Sequence, residues 1–288
     1  MTVSTNAAQQ TFLREVSRVN SPSFGPGNVP KHKARLLIEF GDAAVTDPFL
    51  ALAEDWMPHG AFDFHPHRGI ETVTFVLEGA LDHRDNAGNV GQIHPGDAQW
   101  MTAGGGILHE ENPPEGQLSH TLQLWVNLPA ANKMVPARYQ DLLGAEMRVR
   151  REPGVEVRVF SGRSGSVQSD TLNYVPVNLF EIRLQGGASF TQELPAYDNA
   201  FIVPLEADVQ VGTSVAALSP GQLAWLTRTE TEGVSTVQLS APNRPARLLL
   251  VSGRPLREPV VQRGPFVMNT EEQIQQAFAD LRAGRFNR

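Results

Sequence analysis

Apolar positions along this chain fall into short, separated runs. ARLLIEF (34–40), ETVTFVL (71–77), AQWMTA (98–103), TLQLWVNL (121–128), VEVRVF (155–160), VNLFEIRL (177–184), NAFIVPL (199–205) and ARLLLVS (246–252) are rich in Val, Leu, Ile, Phe and Thr. Such residues fit a pleated, half-buried surface, so each run predicts a strand. Gly, Pro, Asn and Asp gather between the runs, as in HRDNAGN (83–89) and HPGD (94–97), and mark turns. In IETVTFVL the apolar positions 70, 73, 75 and 77 partly alternate, which predicts a strand with one face on a core. One segment has a different period. In NTEEQIQQAFADLRAG (269–284), Ile274, Ala277, Phe278 and Leu281 recur at helical spacing. Thr270 with Gln273 forms a capping box, Glu271 and Glu272 suit the helix N-terminus, and Gly284 is a stop. Many short strands with Gly/Pro turns and one terminal helix predict an all-β sandwich or barrel architecture.

A weak internal repeat divides the chain. HPGDAQWM (94–101) resembles SPGQLAWL (219–226), and Phe75 precedes Pro95 by about the interval that separates Phe201 from Pro220. Two matching landmarks predict a duplicated β unit, with the boundary in 130–153. The length fits two domains.

Charge and histidine are distributed unevenly between the two units. The formal net charge is -7; residues 1–130 hold 15 acidic and 7 basic residues, and residues 131–288 hold 16 and 17. An acidic front half argues against direct nucleic-acid binding. All 8 histidines lie in the first 120 residues: His32, His59, His65, His67, His83, His94, His109 and His120. The absence of cysteine excludes disulfides, thiolate metal sites and cysteine nucleophiles, and fits a reducing compartment. The first 20 residues lack the basic and apolar regions of a secretory signal, and no apolar run reaches the ~18 residues of a membrane span. The expected location is cytoplasmic, with no membrane partner.

Two segments carry the chemistry, HPHRGIE (65–71) and HEEN (109–112). Strand residues two apart share a face. His65 and His67 would project together, Glu71 keeps their parity, and His109 and Glu111 form a second such pair. Three imidazoles and one carboxylate suit a transition metal with open positions, and parity admits either Glu71 or Glu111 as the carboxylate. The other histidines have plainer readings: His94 exposed beside a turn, His32 and His120 solvated, and His59 and His83 candidates for the pocket around the site. Gly104, Gly105 and Gly106 form no phosphate-binding motif and predict a tight turn near His109. Trp100 and Met101 read as core or cavity lining.

The chain resembles the pirin family of the cupin superfamily. The resemblance is carried by DPFL (47–50), HPHRGIETV (65–73), VLEGALDHRDNAGN (76–89), PGDAQWMTAGGGILHEE (95–111), LQLWVNLP (122–129) and the tail GRPLREPVVQRGPFVMNTEEQIQQA (253–277). It implies two tandem cupin (double-stranded β-helix, or jelly-roll) barrels ending in a short helix: residues 1–140 as the metal-binding barrel and 141–288 as a barrel without His ligands. It implies the ligands His65, His67, His109 and Glu111, where cupins in general use the position of Glu71. One departure is Asn112-Pro113, where the family commonly has Met-Pro; a change in polarity at the pocket lip is expected. The implied activity is that of a quercetin 2,3-dioxygenase, taking a small phenolic substrate and O2. Its metal would be Fe(II), with Cu, Mn, Co and Ni as alternatives, and Glu111 would be the catalytic proton acceptor. The alternative is a non-enzymatic, iron-dependent regulator that binds a protein partner, a transcription factor or a metabolic enzyme.

Overall fold

The computed structural model describes residues 11–213 and 217–286. Residues 1–10, which include the start read above as no secretory signal, lie outside the described residues. The chain forms two β-barrels, each built from one large and one smaller sheet. In the first, the large sheet runs Arg138–Leu142, Ala98–Thr102, Ile70–Glu78, Leu118–Asn127, Phe49–Pro58, Lys33–Ile38, Gly25–Pro26. Its smaller sheet runs His65–His67, Ile107–Asn112, Leu81–Asp85, Val90–Ile93. In the second, the large sheet is centred on Val177–Leu184, Ala246–Gly253 and Asn199–Glu206. The predicted strand runs are all strands, and Glu271–Arg282 is the predicted helix with its capping box formed. Ala43–Thr46 is a further, short helix that carried no pattern of its own. No helix among the described residues is long and apolar enough to cross a membrane.

The repeat landmarks meet in space. Phe75, Trp100, Phe201 and Trp225 belong to one core between the two large sheets. Phe75 packs on Phe160 at 5.4 Å and Phe49 on Phe201 at 5.1 Å, both edge-on. Each large sheet therefore spends one face on its partner and the other on its own barrel interior. The two interiors differ. The second is filled by Val157, Val159, Phe180, Ile182, Ala224, Leu226 and other apolar side chains. In the first, Gln99 and Met101 occupy the repeat positions held by Ala224 and Leu226 in the second, and Gln99 is buried.

Alternation in IETVTFVL has the opposite meaning from a half-solvated strand. Thr72 and Thr74 are as buried as Val73 and Phe75. The polar face lines a barrel interior and the apolar face lies on the second barrel.

Both chain ends cross the boundary drawn from sequence. Phe12–Leu13 and Val16–Asn20 pair with strands of the second barrel. Arg14, fully buried, donates to Ser235 Oγ at 2.7 Å, Thr227 O at 3.0 Å and Pro195 O at 2.6 Å. At the other end, residues 265–286 return to the first barrel: Val267 packs with Leu50, Ile70, Met101 and Ile107. Hydrogen bonds between Arg68 and residues 265 and 267 hold this return. Residues 12–20 thus pair with strands of the second barrel, and the tail packs on the first. The strand Leu223–Leu226, which would otherwise end the second large sheet, is thereby covered by Val16–Asn20.

Candidate metal centre

The site forms on the smaller sheet of the first barrel, where His65–His67 pairs antiparallel with Ile107–Asn112. His109 stands opposite His65, and on the other side of the same strand Glu111 stands opposite His83 and His109 opposite Asp85. The ligand nitrogens of His65, His67 and His109 all lie within 4.8 Å of one another. Among the described residues this is the group that could hold a metal. His67 and His109 are buried, whereas His65 is partly exposed, so the group opens at His65.

Hydrogen bonding defines what each ring can offer. His65 Nδ1 lies 2.8 Å from Asp63 O; it donates to that carbonyl, leaving Nε2 as a free lone pair. Both ring nitrogens of His67 and of His109 are buried without a hydrogen-bond partner. A buried orphan polar group costs about 1–3 kcal/mol, and one nitrogen of each of these rings can serve instead as a metal donor beside His65. Burial first, then the neighbouring imidazoles, pushes His67 and His109 well below the ordinary imidazole pKa. The rings are therefore neutral, the form that binds metal. The residues present fit a divalent transition metal.

Glu111 and Glu71 have different surroundings. Glu111 is buried in the same interior; its Oε1 accepts from Thr74 Oγ1 at 2.9 Å and its Oε2 from Gln123 Nε2 at 2.6 Å. Trp125 Nε1 donates to Gln123 Oε1 at 3.3 Å, and the Trp125 ring packs edge-on against His67 at 5.0 Å. Glu71 shares its strand face with Val73 and Phe75, which point at the second barrel, and accepts from Thr102 Oγ1 at 2.7 Å. Burial raises its carboxyl pKa, with the Thr102 hydrogen bond opposing. The parity that linked Glu71 to His65 and His67 is broken between the two strands. Gly69, at φ +80, turns the chain there, and a Cβ on it would lie 1.9 Å from Val267 O.

The remaining histidines divide differently from the sequence reading. His94 is exposed, as expected. His32 is not solvated: it is buried and its Nε2 lies 2.8 Å from Asp55 Oδ1, with Nδ1 accepting from Asn28 N. His120 is largely covered, stacked on Trp56 at 4.1 Å and bonded to Glu54. Both sit in strands or turns whose carboxylate neighbours on adjacent strands supply partners that a linear reading cannot see. His83 is buried beside the site, bonded to Gln99 and packed on Tyr139 at 4.8 Å. His59 binds Pro113 O at 2.8 Å on the site's outer lip. The three glycines make the expected turn: Gly104 approaches Val135 O and Gly106 the Phe286 ring, each too closely for a Cβ. Trp100 is core between the barrels, and Met101 lines the first barrel. Sequence reading missed Thr74, Gln123 and Trp125. Their signal was available as polar residues at period-2 positions inside apolar strands.

A bicupin with histidine donors in one barrel and an apolar interior in the other is the class this geometry defines. The family pattern described as Pirin matches residues 27–126, and that described as Pirin C-terminal cupin domain matches residues 179–287. The chain belongs to the pirin family. It is 40% identical to pirin of Rattus norvegicus over 283 residues, covering 96% of this chain and 93% of the rat protein. A crystal structure of quercetin 2,3-dioxygenase from Acinetobacter baumannii is similar at TM-score 0.83 and 31% identity, over 95% of this chain and 98% of that one. The bacterial pirin YhhW from Escherichia coli, solved in complex with nickel(II), shares the fold at TM-score 0.64 and 22% identity, over 83% and 99%.

Proposed function

We propose that this chain is a metal-dependent dioxygenase acting on a flavonol or related phenolic ring, with His65, His67, His109 and Glu111 as the metal ligands. The observation that carries the reading is the convergence of three imidazoles, two of them buried with all four nitrogens unpartnered. The likeness to the Acinetobacter quercetin 2,3-dioxygenase supports the substrate class. Fe(II) is the proposed metal, and Cu, Mn, Co and Ni are the alternatives the donor set also suits.

A bound metal of this kind supplies open coordination positions and redox access to dioxygen. The chain's own residues do the rest. His65, with its Nδ1–H committed to Asp63 O, presents Nε2 in a fixed orientation. Thr74 and Gln123 each donate to one Glu111 oxygen and so fix the orientation of the carboxylate, which can accept the proton of a phenolic hydroxyl. Trp125 packs against the buried His67 and Phe62 lies beside the partly exposed His65, so the two rings wall the cluster on either side of its opening. The overall reaction opens the central flavonol ring with O2 and releases carbon monoxide.

Aerobic incubation of iron-loaded protein with quercetin tests this directly. Loss of the flavonol absorbance well above a free-metal control is the expected result. No loss with Fe, Cu, Mn, Co or Ni would refute the flavonol reading, and retention of a protein partner that depends on the Fe(II) versus Fe(III) state would favour a regulator.

A further inference from the structure

The segment leading into the His65–His67 strand is stitched to the strand that carries His109 and Glu111, and one side chain makes most of the stitches. Asn112 is buried at 5% exposure. Its Oδ1 accepts from Gly60 N at 2.9 Å and Phe62 N at 3.4 Å, and its Nδ2 donates to Phe62 O at 3.2 Å. Glu111 N also donates to Phe62 O at 3.3 Å, and His59 Nδ1 donates to Pro113 O at 2.8 Å. A side-chain amide here substitutes for backbone, extending the sheet past the end of its ladder. An aliphatic side chain at 112 would leave the Gly60 amide without its acceptor.

What the stitches position is the Phe62 ring. It stands 6.1 Å from the His65 ring on one side and edge-on at 5.3 Å to His32 on the other. His32 is itself fixed, between Asp55 and the Asn28 backbone. His65 is the exposed member of the metal cluster, so the half-buried Phe62 ring forms one wall of the opening. Aromatic rings held rigidly at an opening favour planar aromatic ligands, through offset or edge-on contact, because little side-chain entropy is lost on binding.

We propose that Asn112 is the positioning residue of this lip: it fixes residues 60–62 so that Phe62 receives the aromatic face of the ligand beside His65. The proposal rests on the phenolic-ring reading above and adds to it the residue that sets ligand affinity without touching the metal.

The test uses the full chain loaded with Fe(II) under anaerobic conditions, with quercetin as probe, in wild type, Phe62→Ala, Asn112→Leu and Asn112→Asp. Asn112→Leu and Phe62→Ala should each weaken quercetin binding by about fivefold or more with metal content unchanged. Asn112→Asp, which keeps the acceptor for Gly60 and Phe62, should recover most of the loss. Amide exchange separates positioning from ligand chemistry. In Asn112→Leu the Gly60 and Phe62 amides should exchange about tenfold faster or more, while those of Ile107–His109 stay protected. Unchanged exchange, unchanged quercetin affinity, or loss of metal from Asn112→Leu would each overturn the proposal. Failure of the wild type to bind quercetin would instead refute the flavonol reading, and the exchange comparison would then decide the positioning role alone.

Discussion

His67 illustrates how a residue's role depends on what its neighbours leave undone. It lies in a three-residue strand, fully covered, with Trp125 on its edge and no acceptor for either nitrogen. Other buried histidines of the chain are satisfied by protein: His32 by Asp55, His83 by Gln99. The exposed His94 has its own backbone held by Asp97 and no part in the cluster. Metal content measured after loading and desalting should therefore fall to near zero in His67→Ala and stay at the wild-type level in His94→Ala; equal content in the two would refute the assignment. The His-x-His and His-x-Glu spacings were legible in the sequence because strand parity is a local property. The Thr74 and Gln123 contacts to Glu111 were not, because they join strands far apart in the chain.

Elements were legible where periodicity was regular, and the meaning of a face was not. The helix Glu271–Arg282 begins and is capped where its residues direct, since capping chemistry is contained in four consecutive residues. Strand Ile70–Glu78 was found, yet its polar face points inward and its apolar face at another barrel. Alternation reports that two faces differ; what covers each face is decided by the topology. Gly69 matters at this level. It breaks the parity between His67 and Glu71, and its carbonyl accepts from the buried Lys133 ammonium at 2.7 Å. Lys133 also holds Asn127 Oδ1 and Val267 O, so turn, loop and tail share one clamp, although burial pulls its pKa down to about 7. Gly69→Ala forces a Cβ onto Val267 O at positive φ and should cost about 3 kcal/mol or more, read as a shift in the urea midpoint. A variant within 0.5 kcal/mol of wild type, roughly the spread of neutral surface changes, would contradict this account of the turn.

At the scale of the molecule, the weak PG-x-x-x-W repeat was a true guide to architecture: both tryptophans and both landmark phenylalanines lie in one core. The crossing of the chain ends was invisible, because neither Phe12–Leu13 nor the tail carries a signal naming its partner strand. Arg14 anchors the N-terminal crossing, donating to Asp198 O at 2.9 Å. The buried Asp198 carboxyl is pushed up from 3.8 to about 6 by burial, with Arg14 opposing. Between those values the folded chain keeps a proton that the unfolded chain has released. Stability from this group is thus complete below about pH 4 and is lost as pH rises through about 6. Asp198→Asn removes the titration and keeps the shape. Denaturant titrations from pH 4.5 to 7 should show wild type losing on the order of 2 kcal/mol relative to the variant. Parallel pH profiles would contradict the assigned shift. The second barrel, filled with apolar side chains, has no comparable cluster of donors among its described residues.

The most direct test of the metal assignment is anomalous diffraction, at the metal's absorption edge, from crystals of the metal-loaded protein. One peak is expected at bonding distance from His65 Nε2, a ring nitrogen of each of His67 and His109, and a Glu111 oxygen, with none near Glu71 and none in the second barrel. No peak after loading, or a peak ligated by Glu71, would contradict the account.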